Sequence, residues 1–299
     1  MLNIFINFAI KVVIFFLVLL FSLGKLFMRY LCFILIWIIT NDFSVLFRLI
    51  TYLIILFTST SLIAKEPIVR RAITAVRTNE TVVIDGIINE AAWEKAGIAT
   101  DFTQKMPNPG SPSTERTDVY ILYNDVSIYI AAKLFDSDPH MILKEFTERD
   151  QDGNYDWFGV IFDTYEDGQN AFGFGITAAG TQNDWRMTAT GDDDSWDAVW
   201  NSKVIHTEEG WFVEMEIPFS MLRFSSKEIQ TWRVNFGRSL KKNGEEAYWN
   251  PVKPEIEGLV VQSGELKGMN NIRSPLRLML TPYLISYLNE NHHKAAGID

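Results

Sequence analysis

From Arg70 onward the chain is governed by alternation of apolar and polar positions rather than by a helical period. Val119, Ile121 and Tyr123 share one face, and beyond a turn at Asn124-Asp125 so do Ile128, Ile130, Ala132 and Leu134. The same period of two runs through Phe158, Val160 and Phe162, then Phe172, Phe174 and Ile176. It returns in Trp211, Val213, Met215 and Ile217, and closes in Trp232, Val234 and Phe236. Successive side chains of a strand point to opposite faces. Such runs, punctuated by Gly, Asn, Asp and Pro, therefore predict an all-β fold of antiparallel strands stacked as a β-sandwich. Helix is expected only at Glu90 to Ala96, with Asn89 as N-cap, and at Met141 to Glu148, after Pro139. The stretch Met106 to Pro112, reading M-P-N-P-G-S-P, is expected as a turn-rich loop.

The first 64 residues follow a different rule. Ile4 to Leu23 is apolar except for Asn7, Lys11 and Ser22, and two further apolar runs cover Leu26 to Ile39 and Leu46 to Ile63. A helix needs about 20 apolar residues to cross a bilayer, so the first run is long enough. Two readings stay open. In one, Met28 begins an export signal whose apolar region follows Arg48 and ends at Ser61-Leu62-Ile63-Ala64. In the other, residues 1–64 are a helical membrane anchor. Both place the body, residues 65–273, outside the cytoplasm: in the periplasm, in the outer membrane or at the cell surface. Residues 274–299 alternate strongly again through Pro275 to Tyr287.

Charge and cysteine narrow the partners. A formal net charge of −10 argues against a nucleic-acid partner, which requires clustered Lys and Arg. The single cysteine, Cys32, lies in the leader, so the body has neither disulfides nor a thiolate zinc site. The four histidines are scattered, and no nucleophile elbow, zinc signature or phosphate loop is present.

Most of the nine tryptophans fall in the second half of the chain. Trp93, Trp211 and Trp232 stand in phase with aliphatic neighbours and are expected in the core. Trp157, Trp185 and Trp196 are flanked by Asp, Asn, Gly and Ser, which suits a wet edge where an indole stacks on the C–H face of a sugar. Trp200 fits either place. Gly173 and Gly175 leave one face of their strand bare, for the close approach of a ligand or for tight packing between sheets. Asp150, Asp152 and Asp156 stand at alternate positions, as the oxygen ligands of a calcium loop would, although the spacing is not that of an EF-hand. Carboxylates are plentiful, but a glycosidase needs two of them about 5–10 Å apart across the bond, and spacing in sequence does not give that distance.

Five signatures occur in order: Ile84-Asp85-Gly86 with Glu90 and Trp93; Trp196-Asp197-Ala198-Val199-Trp200; Gly210-Trp211-Phe212-Val213-Glu214; Ile217-Pro218-Phe219; and Leu222-Arg223-Phe224. This series resembles carbohydrate-binding module family 9, a DOMON-like sandwich, in the version that precedes an outer-membrane β-barrel. The resemblance spans about Ile68 to Arg273. It implies a non-catalytic module that binds a glycan in the service of polysaccharide breakdown, clamping a terminal sugar between two aromatic rings. It places the site on the Trp157 strand, on Thr181 to Trp185 with Asn183, and on Trp196 to Trp200, with Arg149 and Asp156 as charged members. It also implies structural calcium in an oxygen-rich loop, and the first strand of a C-terminal barrel in residues 274–299. The chain departs from the pattern at Thr177-Ala178-Ala179-Gly180, where relatives carry Asn-Pro before the glycine, and at Tyr155-Asp156, where they carry paired Asp. Two other functions stay open: a structural or partner-docking domain of a barrel protein, and an O-glycosyl hydrolase like the xylanases that carry such modules.

Overall fold

The chain divides between Pro67 and Ile68, and a computed structural model describes residues 68–273 together with residues 48, 51 and 52. The apolar leader, apart from those three positions, and the expected barrel strand lie outside the described residues. Among the described residues no helix is long and apolar enough to cross a membrane.

Two sheets build the body. The nine-stranded sheet runs β1 (Ala72–Thr74), β15 (Gly264–Asn270), β13 (Ile229–Leu240), β7 (Trp157–Asp163), β8 (Ala171–Thr177), β9 (Gln182–Thr188) and β10 (Gly191–Asp193). Beyond β15, the far end of β13 pairs with β14 (Glu245–Tyr248), which in turn pairs with β4 (Thr103–Met106). The six-stranded sheet runs β11 (Asn201–Thr207), β12 (Gly210–Pro218), β6 (Ser127–Phe135), β5 (Thr117–Tyr123) and β2 (Val76–Arg77), with β3 (Gly97–Ala99) also on β5. The sheets are mixed rather than purely antiparallel, because β1 runs parallel to β15 and β2 parallel to β5. Residues 72–78 form one short ribbon that serves an edge of each sheet in turn, and both edges already have their direction set.

The apolar runs read from the sequence meet between the sheets in one core. Trp232 is fully buried there, with Phe162 edge-on at 6.0 Å and Phe219 at 6.2 Å, the arrangement that aromatic quadrupoles favour. Both expected helices shrink. Residues Ala91–Lys95 form a 3₁₀ turn whose N-cap is Glu90, not Asn89, with no side-chain cap bond. Only Pro139–Met141 turns in the second segment. The rest of that segment is extended, because Glu145 and Asp156 use their N–H groups across a hairpin, to Asn154 O and Leu143 O.

The outer face of the smaller sheet is sealed by the segment carrying the first signature. Val82, Ala92 and Trp93 pack with Leu122, Tyr129 and Ala131 in a second apolar cluster. Glu214, fully buried on β12, fastens it. Its carboxylate accepts N–H bonds from Asp85 (3.1 Å), Gly86 (2.9 Å) and the Trp93 indole (3.2 Å). Gly86 has φ +87°, and a Cβ there would lie 2.8 Å from Ile205, so the turn admits only glycine. The distant motifs I-D-G, E-x-x-W and G-W-F-V-E are therefore parts of one latch.

Burial pushes the Glu214 carboxyl up to about 7, nearby Glu90 adds to the rise, and the N–H bonds oppose it. The folded pKa exceeds that of the unfolded chain, so this group's contribution to stability is complete below about pH 4.5 and is lost as pH rises through 7. Thermal unfolding at a series of pH values should show stability falling between about pH 5 and 8. Glu214→Gln should flatten that slope, and equal slopes for the two proteins would assign the pH dependence to other groups.

Candidate functional site

On the larger sheet the inward positions of β7 and β8 are filled by phenylalanine, valine and isoleucine, while the outward ones include Gly159, Gly173 and Gly175. Strand register brings the glycines together. Gly159 on β7 lies opposite Gly175 on β8 and Gly237 on β13. Gly175 in turn lies opposite Asn183 on β9, and Gly237 opposite Tyr248 on β14. One cross-strand row therefore reads Asn183, Gly175, Gly159, Gly237, Tyr248.

The glycines of this row and the adjacent Gly173 are covered by indoles. A Cβ at Gly159 or Gly175 would collide with the Trp157 ring, and one at Gly173 with the Trp185 ring. The two rings lie against the backbone with centroids 5.9 Å apart and planes inclined at 44°. Both remain half-exposed. The missing side chains at Gly173 and Gly175 thus admit tryptophan from the neighbouring strands, rather than the opposite sheet.

Beside the rings is a concavity of about 250 Å³, walled also by Asp150, Asp152, Asn183 and Asp194. The buried Asn183 Oδ1 has no hydrogen-bond partner among the described residues. Asp150 accepts the Asp184 N–H at 2.9 Å, and burial holds its carboxyl above the ordinary value against that bond. Behind this wall Asp184 is buried and fully engaged. It pairs with Arg149 and accepts from the Ala198 N–H at 2.7 Å and the Trp200 indole at 3.0 Å. Arg149 reaches on to Gln182 Oε1 (2.9 Å) and Ala198 O (2.8 Å). It is a strut between loops at the edge of the concavity.

The structure separates what the sequence grouped. Trp157, Trp185, Asn183, Asp150 and Asp152 come together, with Arg149 behind them. Trp200 does not join them: it is buried, edge-on to Phe174 at 5.6 Å. Trp196 braces Phe172 at 5.4 Å and lines another concavity of about 400 Å³, with Tyr165, Arg186 and Arg223. Asp156 points inward, where its carboxylate accepts the Lys241 N–H at 2.9 Å and burial raises its pKa. It does not line the concavity that Asp150 and Asp152 share. Among the described residues no group of three or more His, Cys, Asp or Glu is placed to hold a metal ion. Tyr155 and Tyr248 were missed, since only strand pairing and loop closure bring them to this face.

No protein-family model matches the sequence, and no curated protein is similar to it. Solved structures are similar. A family 9 carbohydrate-binding module from Caldicellulosiruptor kristjanssonii, in complex with cellotriose, superposes with a TM-score of 0.51 at 12% identity, covering 71% of this chain and all of that one. A Bacteroides uniformis protein assigned to carbohydrate binding superposes with a TM-score of 0.56 at 12% identity, covering 67% of this chain and all of that one. The likeness is one of fold. Within this sandwich the Asp184 cluster is what ties the segment carrying Trp196 and Trp200 to the sheet.

Asp184→Ala should therefore strand the indole and backbone N–H groups and destabilise the protein by about 2–4 kcal/mol, as each unmet buried donor costs about 1–3 kcal/mol. Asp194→Ala, on the exposed rim, should stay within about 0.5 kcal/mol of the parent protein. Urea unfolding of both variants checks the contrast.

Proposed function

We propose that this protein is a non-catalytic carbohydrate-binding module. The observation that carries the reading is the pair of half-exposed indoles, Trp157 and Trp185, seated on a row of glycines beside a polar concavity. Apolar ring faces stack on the C–H faces of sugars, while carboxylates and amides read the hydroxyls. Asp150 and Asp152 supply acceptors for hydroxyl donors at one end of the rings, with the Asn183 amide beside them. The cellotriose held by the Caldicellulosiruptor module of the same fold agrees with this reading.

The wider setting rests on the sequence. The apolar leader exports or anchors the protein, and the module captures glycan for polysaccharide breakdown at the cell envelope.

Affinity electrophoresis over immobilised polysaccharides, backed by a glycan array, tests the binding. Trp157→Ala and Trp185→Ala should each abolish or strongly weaken retention while keeping a cooperative unfolding transition. Trp196→Ala should still bind. Trp211→Ala and Trp232→Ala should destabilise by about 3–5 kcal/mol, as emptied core sites do. Retention that survives loss of both outer indoles would sink the proposal.

A further inference from the structure

A clamp that grips one terminal sugar needs two aromatic faces nearly parallel and separated by two stacking contacts. With carbon–carbon contacts of about 3.5–4.0 Å, that is a gap of roughly 7–8 Å between rings. Trp157 and Trp185 do not provide it, since their centroids are 5.9 Å apart and their planes are inclined at 44°. Nor do the rings stand away from the sheet to make room, because both pack against the glycine positions. Opening such a clamp would lift an indole off its seat.

The row continues past the pair. Tyr248 and Trp157 both reach over Gly237, where a Cβ would lie 2.9 Å from Tyr248 Cε1 and 3.3 Å from Trp157 Cζ3. The Tyr248 ring is half-buried, and Lys105 Nζ sits 5.9 Å from its centre while bonding Glu246 at 3.1 Å. From Asn183 to Tyr248 the row crosses five strands, which at a spacing of about 4.8 Å is roughly 20 Å. That is several sugar rings long. Polar groups stand at both ends: the concavity with Asp150 and Asp152 at one, the Lys105–Glu246 pair at the other.

We propose that this face is an open platform for the interior of a linear, neutral, β-linked polysaccharide, laid across the strands over Trp185, Trp157 and Tyr248, rather than a clamp for a chain end. Equatorial β-linkages give an extended, gently twisting ribbon that offers ring faces one after another, which a row of mutually tilted aromatics matches and a coiled glycan does not. The carboxylates of the concavity disfavour uronic acids. The inference rests on the carbohydrate-binding reading and specifies its ligand.

Calorimetry on the full chain in detergent, with mono-, tri- and hexasaccharides of the cellulose, xylan and mannan series, tests it. In at least one series affinity should rise by about tenfold or more from trimer to hexamer, the equivalent of about 1.4 kcal/mol. Borohydride reduction of the chain end should leave hexamer binding intact. Tyr248→Ala should lower hexamer affinity by about tenfold and leave the trimer unchanged; should this variant not fold, the length series still decides. Equal affinity for monomer and hexamer, or loss of binding on reduction, overturns the platform while leaving the carbohydrate-binding reading in place. Failure of all three series to bind overturns the platform, and the wider glycan array then judges the parent reading.

Discussion

Everything outside the core is arranged by the burial of the inward face of each sheet against the other. Phe158, Val160, Phe162 and Phe174 meet Trp211, Val213, Met215 and Ile217 in one apolar layer, and no water-facing role is left to any of them. A strand side chain has only two directions, so whatever the protein does with a ligand must be done on an outer face or at the ends of the strands. The two outer faces are used in opposite ways. That of the smaller sheet is sealed by residues 82–96 around Trp93 and Glu214. On the larger sheet, glycines admit Trp157 and Trp185, whose rings stay half-exposed.

Buried charge does the positioning that apolar packing cannot. Leucine or valine in place of Asp184 would fill space, but a carboxylate meeting a guanidinium, a backbone N–H and an indole N–H fixes three chain segments in one geometry. Glu214 does the same for the latch. Arg238 does it at the end of the sandwich, donating to Arg116 O and Thr117 Oγ1 at 3.0 Å and to Phe135 O at 2.7 Å. In each case the donors and acceptors come from residues far apart in sequence, so loss of one partner leaves unmet polar groups on several elements at once.

Three tryptophans of similar local sequence end in opposite roles, according to whether strand register or loop closure places them. Trp185 sits one residue beyond Asp184, so when Asp184 turns inward to Arg149, Trp185 must turn outward over Gly173. Trp196 and Trp200 lie beyond the sheet edge, where loop 194–200 folds back onto the inner-face aromatics Phe172 and Phe174. A polar neighbourhood in sequence therefore does not distinguish an indole on the ligand face from one closing the core.

The alternation of Val119 to Phe236 determined the all-β sandwich and its core, because period two in hydrophobicity and period two in side-chain direction are the same fact. It left the face of Gly173 and Gly175 open to a ligand or to tight packing, and polar neighbours grouped Trp157, Trp185 and Trp196 together. Local sequence overstated helix at 141–148, where hairpin bonds from Glu145 and Asp156 outweigh propensity. It also grouped Asp156 with Asp150 and Asp152, although their carboxylates face different surroundings. What only the tertiary structure decided was pairing: that Gly175, Gly159 and Gly237 fall in one row ending at Tyr248, and that Glu214 closes on Gly86 and Trp93 from more than a hundred residues away. Register between strands is set by the packing of both sheets together, and no short stretch of sequence contains it.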